Sequence, residues 1–161
     1  MKIGVLSDTH IPYAARALPQ KVFDTLATMD AIIHAGDYQE ISVVETLTSL
    51  GNFYGVYGNM DPPEIKRELP EKRTLNLGGF SIGVIHGWGS KNGLEERVIE
   101  SFGSEKPDAV VYGHSHAAFN KEEEGFLLFN PGSPTDTRFA KFSSMGILTL
   151  DKIITGEIIK L

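Results

Sequence analysis

Four of the five histidines in this chain lie in short polar clusters that follow apolar runs: Leu6-Ser7-Asp8-Thr9-His10, Ile85-His86-Gly87 and Tyr112-Gly113-His114-Ser115-His116. Two further clusters share the construction, with a carboxylate or amide as the polar group: Ala35-Gly36-Asp37 and Tyr57-Gly58-Asn59-Met60-Asp61. Imidazole nitrogen and carboxylate or amide oxygen are the donors that hold Mg²⁺ and the divalent first-row metals. A cation so held polarises a substrate oxygen and lowers the pKa of a bound water toward about 7. The chain has no cysteine, which excludes disulfides, thiolate metal sites, iron–sulfur clusters and cysteine nucleophiles and leaves only nitrogen and oxygen donors.

Donors so far apart in sequence can meet only if the elements carrying them converge. The first half alternates short apolar strands with amphipathic stretches, the pattern of βαβ units in a largely parallel sheet. Ile3–Leu6, Ala31–Ile33 and Phe53–Tyr57 read as strands. Leu18, Val22, Leu26 and Met29, then Ile41, Val44 and Leu47, recur at helical spacing, and Pro62-Pro63 reads as a break. Gly78-Gly79 forms a two-residue hairpin turn between Leu75-Asn76-Leu77 and Phe80-Ser81-Ile82. Leu94, Val98 and Phe102 mark a third helix, followed by strands at Ala109–Tyr112, Phe126–Phe129, Met145–Leu150 and Glu157–Leu161. The expectation is an α/β fold of two packed sheets flanked by helices, as one domain over residues 1–161. In such a sheet the carboxyl ends of parallel strands face one crevice, which is where each of the five clusters begins.

At 161 residues and 41% hydrophobic content, the chain can bury roughly 70% of the surface its unfolded form exposes. Met1–Leu6 runs directly into Asp8 without a leader pattern, and no apolar run reaches the ~20 residues of a membrane span. A cytoplasmic location and no membrane partner are expected. The charge of −6, with fifteen scattered basic residues, argues against an extended nucleic-acid surface but leaves room for a local cationic site that takes one phosphate.

The ordered blocks Asp8-x-His10, Gly36-Asp37, Gly58-Asn59-x-Asp61, His86 and Gly113-His114-x-His116 resemble the calcineurin-like metallophosphoesterase family, in its minimal, cap-less form. The resemblance runs from Asp8 to the Asn130-Pro131-Gly132-Ser133 turn. It implies a four-layer αββα sandwich and two divalent metal ions, with Mn favoured and Ni, Fe, Zn or Mg competent. It further implies that Asp8, His10, Asp37 and His116 bind one ion and Asp37, Asn59, His86 and His114 the other, Asp37 bridging. The implied reaction is attack on a small phosphodiester by a hydroxide shared between the metals, with Asn59, His86 and Asp61 acting near the reacting group. The runner-up is a non-catalytic protein-binding scaffold of this fold, similar to a retromer subunit. A homo-oligomer is compatible with either.

Two positions depart from the family pattern. Met60 stands where many relatives carry a histidine that assists the leaving group, and a thioether cannot donate a proton. Tyr57 stands where several carry arginine. The remaining polar features have plainer readings. His34 suits packing or a hydrogen bond behind the site, Asp61 a turn before Pro62, and Asn130–Pro134 a tight loop. Arg138 suits a solvated surface position, and Glu122-Glu123-Glu124 an exposed hairpin turn.

Overall fold

A computed structural model describes residues 1–123, 125–136 and 138–161. Ten strands form two five-stranded mixed sheets. In the first, β1 (Lys2–Leu6), β2 (Ala31–His34) and β3 (Phe53–Gly55) run parallel, joined by α1 (Gln20–Leu26) and α2 (Ile41–Ser49). The C-terminal hairpin of β9 (Ser144–Leu150) and β10 (Ile154–Lys160) completes it, β9 lying antiparallel to β1. The second sheet has the order β4 (Lys72–Leu77), β5 (Phe80–Ile85), β6 (Ala109–Val111), β8 (Phe126–Asn130), β7 (Phe119–Glu123), and β5, β6 and β8 are parallel. α3 (Pro63–Glu68) follows the third cluster and α4 (Leu94–Glu100) follows the fourth.

Period-two alternation explains the layers. Ile3, Val5 and Ile33 of one sheet and Ile82, Val84, Val111, Leu127 and Phe129 of the other point inward and form a single core between the sheets. Their alternate neighbours face outward. Leu6 and Ile32 meet Val22 and Leu26 of α1 and Val44 and Leu47 of α2, while Ile85, Val110 and Leu128 meet Leu94 and Val98 of α4 and Phe102 beyond it. The four-layer αββα sandwich results.

The two glycines of the β4–β5 turn take φ of 56° and 87°, as a two-residue hairpin loop requires. Two expectations are corrected, and one strand had no expectation at all. Pro62-Pro63 does not break the chain but opens α3, where proline's missing N–H costs nothing. β7 escapes an apolar-pattern reading because its sequence, Phe-Asn-Lys-Glu-Glu, is that of a charged edge strand. Glu122 and Glu123 therefore pair with Leu127 and Phe126 instead of forming a turn, and Glu124 lies outside the described residues. No helix among the described residues is long and apolar enough to cross a membrane.

Candidate metal centre

The ends of β1, β2, β3, β5 and β6 carry the five clusters to one rim of the sandwich. Their turns use an uncommon conformation. Six of the seven non-glycine residues with positive φ among the described residues are here: Asp8 (53°), His10 (43°), Asp37 (64°), Gln39 (75°), His114 (67°) and His116 (59°). A left-handed kink reverses the backbone at the strand end, and Asp and His are among the side chains that tolerate it best. Each such residue stores strain of roughly 1–3 kcal/mol, which surrounding bonds must hold. Ser133 Oγ supplies one, donating to the Asp8 carbonyl at 2.7 Å, and Thr135 Oγ1 donates to the Thr9 carbonyl at 2.7 Å. Space matters as much. A Cβ on Gly58 would collide with the Asp37 carboxylate, and one on Gly113 with Ser7 Oγ and the Asp8 carboxylate.

Two triads of donor atoms converge, each within 4.8 Å: Asp8, His10 and His116, and Asp8, Asp37 and His86. His86 Nε2 is 3.2 Å from Asp37 Oδ2, and His10 Nε2 is 3.6 Å from the same oxygen. His116 Nε2 is 3.4 Å from Asp8 Oδ1 and 3.1 Å from His10 Nε2. Both carboxylates thus face more than one imidazole. Each is also anchored from behind, Asp37 Oδ1 by the Met60 N–H at 2.8 Å and Asp8 Oδ2 by Ser7 Oγ at 2.7 Å.

The donor set fits a cation on one specific ground. His86 is buried, its Nδ1–H donates to the Ala35 carbonyl at 2.7 Å, and its Nε2 has no hydrogen-bond partner although it faces two carboxylates. A buried nitrogen lone pair aimed at carboxylate oxygens is satisfied by a proton or by a metal. Without metal the proton takes the place. Burial alone would depress His86, but the Asp37 carboxylate, helped by Asp8, overrides it and raises the ring to about 9. For Asp8 burial is likewise overridden, by His10, His86 and His116, and its carboxyl falls to about 2. His10 is raised by Asp8 and Asp37 against its burial, whereas burial lowers His116, so one donates and the other accepts across their 3.1 Å contact.

Not every expected residue joins this cluster. His114 Nε2 lies 2.8 Å from the Gly89 carbonyl and its Nδ1 3.0 Å from Asn59 Oδ1, so His114 and Asn59 pair with each other at the crevice wall, the His114 ring 5.4 Å from that of His86. Asp61 is buried beneath the Asp37 turn, where its carboxylate accepts four backbone N–H bonds. Burial nevertheless raises it, Asp37 adding like charge against the amides. His34 stacks on Tyr38 at 3.8 Å, accepts the Gly36 N–H and contacts Thr9 Oγ1, and burial depresses it to about 3, so it is neutral and behind the site.

Two supporting residues carried no usable sequence signal. Gln39 contacts His10 Nδ1 at 2.6 Å through Nε2 while its Oε1 is unpartnered. Turning the amide over satisfies both groups with Nδ1–H donating to Oε1, so that the proton a cation would displace is the one on His10 Nε2, the nitrogen that faces Asp8 and Asp37. Asp136 is buried with Oδ2 at 3.2 Å from His116 Nδ1, and it holds Arg138 through two bonds of 2.9 and 3.0 Å. The Arg138 guanidinium holds the Asp136 carboxyl down at about 2. Arg138 lies on the surface, as its plain reading expected, yet also lines the crevice.

Above the cluster is a crevice of about 530 Å³, lined by His10, Asp37, Gln39, Asn59, His114, His116, Asp136 and Arg138 and by the apolar Tyr13, Met60, Pro62 and Phe139.

Comparison with known proteins agrees with this arrangement. The model of the calcineurin-like phosphoesterase superfamily domain matches residues 1–153. A probable metallophosphoesterase of Methanothermobacter thermautotrophicus is 36% identical over 161 residues, covering 99% of this chain and 92% of the relative. A phosphodiesterase of Methanocaldococcus jannaschii is 26% identical and covers 99% of both chains. Among solved structures, Vps29 of Chaetomium thermophilum superposes with a TM-score of 0.80 at 17% identity, over 99% of this chain and 95% of that one, which shows a common fold.

Proposed function

Because the chain belongs to the calcineurin-like phosphoesterase superfamily, we propose that it hydrolyses phosphate esters, phosphodiesters above all, with two divalent cations. The observation that carries the reading is the partnerless, buried Nε2 of His86 set against Asp8 and Asp37, with His10 and His116 converging on the same carboxylates. Asp8, His10, Asp37, His86 and His116 would hold the ions. Asn59 and His114 would join them, His114 giving up its bond to the Gly89 carbonyl. The ions, Mn first and Ni, Fe, Zn or Mg as substitutes, would supply Lewis acidity and an activated water.

The chain's own residues do the rest. Asn59 and Arg138 line the crevice and would offer hydrogen-bond donors to phosphoryl oxygens, Arg138 with the nitrogen that Asp136 leaves free. Met60 at the rim has no proton to give, and Asp61 is a positioning residue, not an acid, because its oxygens are committed to four amides. Unless another crevice residue or a metal-bound water supplies the proton, a leaving group departs as its anion, which favours diesters and esters of acidic alcohols. A single domain in the cytoplasm, acting on a small phosphodiester, is the setting this reading assumes.

The test is hydrolysis of an activated diester and its matching monoester by metal-stripped protein, before and after addition of Mn²⁺, Ni²⁺, Zn²⁺ or Mg²⁺, with bound metal quantified. Metal-restored turnover that favours the diester is expected. The second reading, a protein-binding scaffold, is favoured by the shared fold of Vps29. Two bound metals per chain without turnover would favour it, or a substrate whose leaving group must be recognised before the site assembles.

A further inference from the structure

A phosphate group fills only a small part of a crevice of about 530 Å³, which lies in the size range of sites for whole small molecules. The remaining space has an unusual wall. Tyr13, Met60 and Phe139 are 78%, 57% and 60% exposed, and they are three of the eight large apolar side chains exposed among the described residues. A single exposed apolar side chain needs no explanation, but three around one polar cluster mark a surface kept for a ligand. They come from separate segments, the loop after β1, the turn after β3 and the loop before β9, so no local sequence pattern accounts for their meeting.

The position of Phe139 narrows the ligand. Its ring stands edge-on to His116, 5.5 Å between centroids and 86° between planes, directly beside the metal-donor cluster. The Lys91 ammonium and the Arg138 guanidinium lie 5.3 and 5.6 Å from the same ring. An anion bound at the cluster therefore has an aromatic wall next to it and two cations against the same ring, Arg138 in the crevice lining itself. This suits a charged phosphodiester carrying a flat apolar arm, which would be gripped between Phe139 and the Tyr13 and Met60 side. The absence of a proton donor at Met60 suits the aryl case in particular, since phenols, unlike sugar hydroxyls, leave without protonation.

We infer that Tyr13, Met60 and Phe139 form a specificity site for one flat aromatic ester arm, an aryl group or a nucleobase, of the phosphodiester substrate. This rests on the phosphodiester reading above, and the test separates the two.

Calorimetric titration of the Mn²⁺-supplemented protein with methylphosphinate mimics of the ethyl, phenyl and thymidin-5′-yl esters, in which CH₂ replaces the ester oxygen and which are named below by the ester each mimics, compares anions that share a headgroup, carry one arm each and have no ester P–O bond to hydrolyse. The phenyl ester is expected to bind about tenfold more tightly than the ethyl ester. Tighter binding of the thymidinyl ester than the phenyl ester would identify the arm as a nucleobase, and the reverse as an aryl group. Phe139→Ala and Tyr13→Ala reduce the aromatic preference to about threefold or less, Phe139→Leu does so while keeping bulk, and Ile153→Ala, exposed on the β9–β10 turn, leaves it intact. Equal binding of ethyl and phenyl esters, or equal loss in Ile153→Ala, overturns the inference whether or not the protein hydrolyses esters. An aromatic preference without turnover of any ester keeps the site and overturns only the hydrolase reading. Binding of none overturns both.

Discussion

Both carboxylate oxygens of Asp61 accept backbone N–H groups of the turn that carries Asp37. Oδ2 accepts from Asp37 itself at 3.0 Å and from Gly58 at 2.8 Å, and Oδ1 from Tyr38 at 2.7 Å and Gln39 at 2.8 Å. One side chain thereby splints two strand-end turns in a conformation that is strained at Asp37 and Gln39. An asparagine keeps one acceptor and turns an NH₂ group toward two of those amides. Each buried amide left without a partner costs about 1–3 kcal/mol, so Asp61→Asn is expected to lose about 2–6 kcal/mol in urea unfolding and to bind metal more weakly. A variant of normal stability and metal content that fails selectively on esters with poor leaving groups would instead make Asp61 the proton donor.

Asp37 presents Oδ2 to His10 and His86 while the Met60 N–H holds Oδ1. Removal of its charge should loosen both imidazoles at once. Asp37→Ala is expected to lose most of its bound metal and at least about 100-fold in kcat/KM, a larger effect than the loss of a group behind a ligand. His34→Ala should retain most activity. Metal analysis of the two purified proteins decides between them, and equal metal loss would count against the ligand assignment.

Much of this was legible in the sequence, for a physical reason. Strand-end donors are sequence-local features, so Asp8, His10, Asp37, His86 and His116 could be picked out before their convergence was seen. The support could not. Asp136 reaches His116 from twenty positions further along the chain, out of an irregular loop, and Gln39 reaches His10 from a backbone that turns left-handed. The pairing of His114 with Asn59 was equally hidden, because it depends on where the Gly89 carbonyl falls. In the fold, the apolar runs that located β1, β6 and β8 have no counterpart in β7, whose charged face protects an edge.

His34 makes stability depend on pH below 6.5, where the depressed His116 acts in the same direction. The folded-state value of His34 is about 3 against an ordinary 6.5, because burial penalises the charged ring. Between those values the unfolded chain binds the extra proton, so stability rises with pH there and is lost as pH falls below 6.5, by up to about 1.4 kcal/mol per pH unit. The depressed Asp8 and Asp136 carboxyls add a separate loss only between about 4 and 2. His34→Asn, which keeps an acceptor for the Gly36 N–H, is expected to be less stable at pH 7 but to show a flatter profile between pH 6.5 and 4. Urea unfolding at pH 7 and pH 4.5 measures the difference, and parallel profiles for parent and variant would remove His34 as the origin.

Asp136 offers the last test, since its Oδ2 lies 3.2 Å from His116 Nδ1 while both its oxygens hold Arg138. The contact is in ion-pair range without the alignment of a hydrogen bond, and His116 Nδ1 is otherwise unpartnered. A carboxylate behind an imidazole fixes the tautomer, leaving the far nitrogen as the donor to a cation and making it more basic. Asp136→Ala removes both orientation and charge and is expected to weaken metal binding by about 10–100-fold, the usual effect of losing such a partner. Asp136→Asn keeps the volume and an acceptor oxygen and should fall between Ala and the parent. At saturating metal kcat should recover to within a few-fold of the parent, because the deficit lies in holding the ion and not in the chemical step. Metal competition against a chelating dye gives the affinities. Unchanged affinity in both variants would reduce Asp136 to an anchor for Arg138.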